Sequence, residues 1–232
     1  MTLAEGSVLI VGGTGGLGRE VARHYQARDA PVIITGRDPA RSAEIAAGIG
    51  DGVTSLGIDL SDPESIAGSL SEVGPVSRLV LAAIARDNNP IRDYTVASAL
   101  YLTTMKLVGY TQTIHTLIDR LSTDSSVVLF GGRAKDRPYP GSTTVTTVNG
   151  GVSSLIRTLA IELAPIRFNA IHPGIVGDSP FWEGKQLDAV VRQTPTGRLA
   201  TMADVVDATA FLLENKAMNG INLYVDGGWM LM

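Results

Sequence analysis

Apolar and polar positions along the chain follow two alternating patterns. Short apolar runs rich in β-branched residues lie near 7–11, 31–35, 53–59, 78–83, 126–130, 167–172 and 222–225. Runs of this length are typical of buried strands. The segments between them repeat apolar residues at helical spacing, and the two longest lie near 95–121 and 144–163. The pattern therefore predicts strands and helices that alternate along the whole chain.

This alternation predicts an α/β fold. Strands joined by crossover helices pair in parallel, and the helices cover both faces of the sheet. We expect a single-domain Rossmann-type, doubly wound parallel sheet of about seven strands over residues 1–232, with helices on both faces. Asp38-Pro39 and Asp62-Pro63 each place a side-chain acceptor before a proline, a pattern typical of the first turn of a helix.

Composition narrows the possible functions. A chain of 232 residues with 44% hydrophobic content can bury one sizeable core, and no linker is visible. The apolar runs are short and no signal-like segment opens the chain, so we expect a cytoplasmic protein with no membrane partner. The absence of cysteine excludes disulfides and thiolate chemistry, and the histidines suggest no metal site. A net charge of −4 without a basic run argues against a nucleic-acid partner.

A glycine-dense turn follows the first apolar run. The turn comprises Gly12, Gly13, Thr14, Gly15, Gly16, Leu17 and Gly18. Glycine permits positive φ and close approach of an anion, and a helix beginning at Gly16 would direct free N–H groups toward that anion. The alternative is a merely tight structural turn. Its position between a buried strand and an amphipathic helix favours binding of a dinucleotide.

Two further strand ends bear on the adenosine half of such a ligand. The second run ends at Gly36 and Arg37, where an acidic residue would accept from a free ribose 2′-hydroxyl. Gly36 leaves room for a 2′-phosphate and Arg37 supplies a planar cation, so NADP(H) is favoured over NAD(H). Arg37 could instead be an ordinary solvated residue. Asp59, followed by Leu60, could accept from the adenine amino group or form a helix cap.

The chain resembles the short-chain dehydrogenase/reductase family over nearly its whole length. The glycine turn is similar to the family's T-G-x-x-x-G-x-G, with Val11 in place of the usual threonine. Other similar motifs are L-A-I-E-L-A-P at 159–165, R-F-N at 167–169, P-G at 173–174 and V-D-G-G-W at 225–229. The resemblance implies an oxidoreductase with a nicotinamide cofactor.

Together with the local features, the resemblance implies a set of cofactor-binding residues. They are Gly12, Thr14, Gly15, Gly16, Leu17, Gly18, Arg37, Asp59, Leu60, Ala83, Asn149, Pro173, Gly174, Val176 and Ser179. Ser179 takes the place of the hydroxyl residue that holds the nicotinamide amide. Asp178 precedes it, so the register could differ by one residue.

The family's catalytic positions are replaced. Its Tyr-x-x-x-Lys falls on Val145 and Asn149, and its serine falls on Gly132. Its asparagine falls near Tyr101 or Thr103, and its N-N-A-G reads L-A-A-I at 81–84. Loss of a positioned general acid forfeits about 10²- to 10⁴-fold in rate, on the order of 3 to 5 kcal/mol. Hydride transfer by the usual route is therefore not expected, although Asn149 could still bond a ribose hydroxyl.

Three residues are candidates to replace the lost proton donor. Ser142 lies where the family's enoyl reductases are similar in carrying their own tyrosine, or it simply caps a helix. Tyr139 presents a phenol to the substrate or packs in its loop. His172 lies near the nicotinamide end, or it has a packing role. Nearby cations could meet an acidic substrate or form a solvated charge run: Arg133, Lys135 and Arg137.

Three functions remain open from the sequence. The first is an NADP(H)-dependent oxidoreductase with a non-standard catalytic site. The second is a non-redox enzyme that reuses the substrate pocket, and the third is a catalytically silent NADP(H)-binding protein that acts through partners.

The sequence also bears on substrate and assembly. The segment 178–196, with Phe181 and Trp182, is expected to cover the pocket and to favour a partly apolar small molecule. The resemblance implies a homodimer or homotetramer that pairs through the two long helices. Apolar residues that could form this seam are Leu100, Leu107, Leu155 and Ile156.

Overall fold

The fold was examined in a computed structural model that describes residues 6–232. Seven parallel strands form one sheet in the order β3-β2-β1-β4-β5-β6-β7. The strands are β1 (Ser7–Val11), β2 (Val32–Gly36), β3 (Val53–Gly57), β4 (Val76–Leu81), β5 (Leu121–Phe130), β6 (Arg167–Pro173) and β7 (Asn222–Val225). The helices are α1 (Gly16–Gln26), α2 (Pro39–Ile49), α3 (Ile66–Ser69), α4 (Val96–Thr103), α5 (Gly109–Leu117), α6 (Thr143–Glu162), α7 (Asp188–Arg192) and α8 (Met202–Glu214).

Helices cover both faces of the sheet. One apolar cluster joins β4 and β5 to α5 and α6, and every residue of β4 is buried. The other joins β1 and β2 to α1 and α8. Because the central strands are covered on both sides, they read as continuous apolar runs. The predicted fold class is confirmed.

Several element boundaries differ from the sequence expectation. Strand β5 begins at Leu121 rather than near 126, because its polar first half continues beside β4 past an irregularity in the register. The predicted helix near 95–121 consists of α4, a π-helical turn over Thr104–Val108, and α5. The strand predicted over 53–59 ends at Gly57, and Asp59 lies in the turn that follows.

Of the two predicted aspartate caps, one forms. Asp38 accepts a hydrogen bond from the backbone N–H of Arg41 at 3.1 Å at the start of α2. Asp62 makes no such side-chain bond, so that prediction was wrong. The proline after Asp62 begins only a short 3₁₀ turn, and the Asp62 carbonyl accepts from Ser65.

The predicted seam residues lie in different environments. Leu100 is 62% exposed on α4, whereas Leu107 and Leu155 pack against the core. Ile156 is fully buried inside the core, so its assignment to a surface seam was wrong. The outward faces of the long helices instead present Leu100 together with Val108 and Ile161.

A search of residues 6–232 finds no helix with the length and apolar character needed to cross a membrane.

Candidate functional site

The glycine turn links β1 to α1 at the carboxyl edge of the sheet. Gly12 has a φ of +88°, and a Cβ there would lie 2.5 Å from the backbone nitrogen of Ala83. A Cβ at Gly18 would collide with the carbonyl oxygen of Gly12. These two glycines are required because the turn packs tightly against the exit of β4.

The start of α1 is open, in contrast to the packed turn. No atom lies within 4 Å of a Cβ built on Gly15 or Gly16, and both residues are exposed. Helix α1 begins at Gly16 as predicted, with no side-chain cap and no acidic residue in its first turn. Its first N–H groups and positive dipole end therefore face open space, an arrangement that suits the pyrophosphate of a dinucleotide.

The ends of β2 and β3 carry the two residues predicted to meet the adenosine half of a dinucleotide. Arg37 is exposed after β2, and its Nη1 donates to the hydroxyl of Tyr101 at 3.2 Å. Asp59 Oδ1 accepts from the N–H and the hydroxyl of Ser61 at 2.9 and 2.6 Å. The hydroxyl bond lowers the pKa of Asp59, and Arg37 acts in the same direction. One carboxylate oxygen thus stabilises the turn, while Oδ2 has no hydrogen bond among the described residues.

Other predicted cofactor residues have mainly structural contacts. Thr14 lies in contact range of Gly36, where an added Cβ would be 2.6 Å from its Cγ2. The Leu60 side chain lies in the core, 4% exposed. Val176 is 5% exposed and forms an isolated bridge with Ala200. For Leu60 and Val176, backbone atoms are the groups left to meet a ligand, whereas Thr14 is partly exposed and also offers its hydroxyl.

Asp178 and Ser179, in the segment after β6, are the two alternatives for the predicted hydroxyl position, and their side chains have different contacts. Asp178 Oδ1 accepts from the N–H of Met202 at 2.7 Å and thereby anchors the start of α8. The Ser179 hydroxyl makes no hydrogen bond among the described residues and lies at the beginning of the 3₁₀ turn Pro180–Trp182. Gly174 packs against Asp226, where a Cβ would lie 2.8 Å from the Asp226 Cβ. Of Asp178 and Ser179, it is therefore Ser179 whose side chain is available to a ligand.

Two of the positions predicted from the resemblance to be catalytic, Gly132 and Asn149, lie in contact. A Cβ on Gly132 would lie 2.8 Å from Nδ2 of Asn149, so the amide occupies the space that a serine would need. Asn149 is 6% exposed, and its side-chain amide has no hydrogen-bond partner among the described residues. The amide atoms are not fully buried, so water reaches them, and a ribose hydroxyl can take the place of that water. Val145 packs against the core and supplies no polar group.

His172 is not available as a proton donor. The ring is fully buried; Nδ1 accepts from the N–H of Gly132 at 3.1 Å, and Nε2 lies 2.8 Å from Asn222 Oδ1. Burial lowers the pKa of His172 to about 4, so the ring is neutral near pH 7. The suggestion that it replaces the lost donor was wrong, because both nitrogens hold neighbouring elements together.

Ser142 and Tyr139 flank the same groove but differ in exposure. Ser142 is 2% exposed; its Oγ accepts from the Tyr139 N–H at 3.0 Å and lies 3.0 Å from Thr146 Oγ1. It therefore lacks the predicted side-chain cap on α6. The Tyr139 ring is 52% exposed, and its hydroxyl has no hydrogen bond within residues 6–232. The groove has a volume of about 500 Å³ and runs between the loops 90–93 and 138–143.

The side chains of the basic loop after β5 contact the C-terminal segment. Arg133 is 8% exposed, and its Nε lies 3.0 Å from Asp226 Oδ2. Lys135 bonds Asp136 and the hydroxyl of Tyr224 at 2.9 and 2.7 Å. Arg137 lies over the ring of Trp229, 4.2 Å from its centroid. Neither a solvated charge run nor a free acid-binding loop describes these residues, because carboxylates and aromatic rings already engage them.

Sequence reasoning missed a buried lysine beside the site. Lys106 lies in the π-helical turn, 4% exposed, with Nζ 3.2 Å from the Tyr110 hydroxyl and 3.4 Å from the Ala83 carbonyl oxygen. Tyr110 itself donates to that carbonyl at 2.7 Å. Burial lowers the pKa of Lys106 to about 7. The available signal was its spacing of four residues from the apolar Leu102 and Tyr110, which places it on the buried helix face.

Comparison with known proteins identifies the family. Residues 12–230 match the family model described as Enoyl-(Acyl carrier protein) reductase. The chain is 25% identical to L-xylulose reductase of Bos taurus over 241 residues, covering 99% of this chain and 98% of that protein.

Solved structures agree with this match. A short chain dehydrogenase/reductase family protein has a TM-score of 0.89 at 30% identity, with 100% of both chains covered. A 3-ketoacyl-(acyl-carrier-protein) reductase from Brucella melitensis, complexed with NADH, has a TM-score of 0.86 at 26% identity, covering 99% of this chain and 100% of that one. With these matches and the fold described above, the chain belongs to the short-chain dehydrogenase/reductase family of oxidoreductases.

Proposed function

We propose that the protein is an NADP(H)-dependent oxidoreductase whose substrate receives its proton from a residue other than position 145. The open start of α1 carries the proposal, because Gly15 and Gly16 leave space for phosphate oxygens against free N–H groups. Arg37 supports the phosphorylated cofactor, since its guanidinium is exposed at the adenosine side and no acidic residue takes its place.

The remaining site residues are assigned to the cofactor and to the substrate. When bound, the nicotinamide supplies or accepts the hydride. Asn149 offers its free amide to a ribose hydroxyl, and Ser179 offers its hydroxyl to the carboxamide. Tyr139 presents the one exposed phenol on the groove beside α6, and we assign to it the transfer of a proton to the substrate oxygen or carbon.

Cofactor choice is tested by titrating NADPH and NADH against tryptophan fluorescence. In Arg37→Leu we expect the Kd for NADPH to rise about tenfold or more, because a charge-assisted bond to phosphate is lost, and the Kd for NADH to stay unchanged. Arg23→Leu, a surface change near the far end of α1, serves as the control. Equal weakening of both cofactors, or no weakening, would contradict the assignment of Arg37.

Turnover is tested by NADPH consumption over a panel of small carbonyl and enoyl compounds. In Tyr139→Phe we expect a loss of about 10²-fold in kcat, typical of a removed general acid. Ser142→Ala should retain most of the activity, because its hydroxyl is buried and already bonded. An unchanged rate in Tyr139→Phe would remove Tyr139 from this role.

One observation favours a second candidate, a nucleotide-binding protein without turnover. Asn149 fills the space of the lost serine beside Gly132, so two catalytic positions have been converted into packing. That function predicts tight NADPH binding, abolished by Gly16→Asp, with no compound of the panel consuming NADPH.

We also propose that the chain forms homodimers or homotetramers through the outward faces of α4, α5 and α6. Leu100 on α4, Val108 in the π-helical turn before α5, and Ile161 on α6 are exposed at 62%, 50% and 80%. Burial of such side chains between two copies removes apolar surface from water.

A further inference from the structure

A cluster of two cations and one aromatic ring lies where three loops meet at the carboxyl edge of the sheet. Arg86 follows β4, and Phe181 and Lys185 follow β6. Tyr139 follows β5, the strand between them in the sheet, and the N–H of Asn89 donates to the Gly141 carbonyl at 2.8 Å, which joins the loop of Arg86 to the loop of Tyr139. The cluster therefore lies beside the groove that carries the exposed phenol.

The two cations share one ring. The guanidinium carbon of Arg86 lies 3.1 Å from the centroid of Phe181, and Nζ of Lys185 lies 3.3 Å from it. Lys185 also lies 4.8 Å from the ring of Trp182. Because both charges are so close to one centroid, they lie within about 7 Å of each other, where like charges repel. The ring attraction is only about 0.5 to 2 kcal/mol per pair, so it holds the cations in place without neutralising them.

No carboxylate of the described residues compensates these charges. Arg133, Lys135 and Arg198 each have a carboxylate within 4.0 Å, whereas Arg86 and Lys185 have none within residues 6–232. The nearest acids along the chain are Asp87 and Glu183, and neither forms an ion pair there. Both residues are exposed, so water solvates the two cations and an anion can displace it.

We propose that Arg86 binds a carboxylate or phosphate group of the substrate, and that Lys185, on the other side of the Phe181 ring, adds electrostatic attraction to that group. A guanidinium stacked on a ring by its face leaves its N–H edges free for two parallel bonds to such an oxyanion. Phe181 and Trp182 form an apolar wall next to that position. The substrate class is therefore an anionic small molecule with an apolar portion, and this inference rests on the proposed oxidoreductase function.

The experiment uses 2-oxo acids of increasing chain length together with their methyl esters, which differ in the charge. Binding to the intact protein is measured by thermal shift with and without saturating NADPH, and NADPH consumption is followed in parallel. We expect each acid to bind about tenfold or more tightly than its ester, since the charged bonds are lost in the ester. Arg86→Leu should remove that preference, Lys185→Met should weaken it, and Arg86→Lys should retain part of it. Lys216→Met, a distant surface lysine, should retain all of it.

The outcomes separate this inference from the function on which it rests. Acid binding without NADPH consumption leaves the anion site standing and overturns the reductase. Equal binding of acids and esters, or acid binding unchanged in Arg86→Leu and Lys185→Met, overturns the anion site. If those variants weaken NADPH but not the acids, the cations serve the cofactor phosphates and the assignment to substrate is wrong.

Discussion

Replacing the buried Lys106 by methionine should stabilise the protein near neutral pH. Burial lowers the pKa of Lys106 from 10.5 to about 7 in the folded chain. Between these values the unfolded chain binds more protons than the folded one, so stability rises with pH across that window. The full penalty acts below pH 7, fades as pH rises, and is absent above the unfolded pKa.

The magnitude follows from the size of this shift. At pH 7 the penalty is on the order of 4 kcal/mol, and by pH 9 it has fallen to about 2 kcal/mol. Lys106→Met also loses the Nζ bonds to Tyr110 and Ala83, worth about 1 kcal/mol net. Tyr110 keeps its own bond to the Ala83 carbonyl at 2.7 Å, so that carbonyl keeps a donor, and only the Tyr110 hydroxyl oxygen loses one. We expect a net gain of about 3 kcal/mol at pH 7 that nears zero at pH 10.

Urea unfolding followed by circular dichroism, at intervals from pH 6.5 to 10, measures this difference. Lys216→Met is the control, because its amine is 71% exposed and pairs with Asp124 only at the surface. A Lys106→Met variant that is less stable than the parent at pH 7, or that keeps the parent's pH slope, would refute the argument. Either result would mean that the amine is hydrated or paired in the folded protein.

Three further predictions address other parts of the molecule. Gly132→Ser should lower the free energy of unfolding by about 1 to 3 kcal/mol, because its Cβ meets the Asn149 amide; the loss should shrink in Gly132→Ser with Asn149→Ala, as read by urea unfolding. His172→Gln should flatten the loss of stability on acidification from pH 6.5 to 4, where the parent loses about 3 kcal/mol because the folded pKa is about 4; a parent profile without that loss would contradict the assigned pKa. Leu100→Glu should convert oligomers to monomers in light scattering after gel filtration, whereas an unchanged mass would place the interface elsewhere.

The architecture was accessible from the sequence because it rests on local patterns. Buried parallel strands appear in the sequence as short apolar runs, and the glycine turn indicates a strand followed by a helix. Errors occurred where a contact between distant segments decides. Asp62 has the local pattern of a cap, but the chain there forms only a 3₁₀ turn. Ile156 fits an outward helical stripe, yet the sheet covers it completely.

The candidate site shows the same difference between local patterns, which the sequence contains, and contacts between distant segments, which it does not. The prediction that Val145, Asn149 and Gly132 take the positions of the family's tyrosine, lysine and serine rests on spacing alone. That Asn149 occupies the serine's space is a contact between the end of β5 and α6, which spacing does not reveal. His172 is excluded as a donor only by its burial and its two partners.

By itself, the sequence determined the parallel α/β sheet and the glycine turn, because each depends on neighbouring residues or on fixed spacing. The tertiary structure alone decided which charges are compensated. Arg133 lies in a basic stretch of the sequence, yet the fold brings the carboxylate of the distant Asp226 to within 3.0 Å of its Nε. Arg86 and Lys185 are far apart in the chain and meet on one ring without a carboxylate among the described residues. Compensation of charge depends on distance in space, and a linear pattern does not contain it.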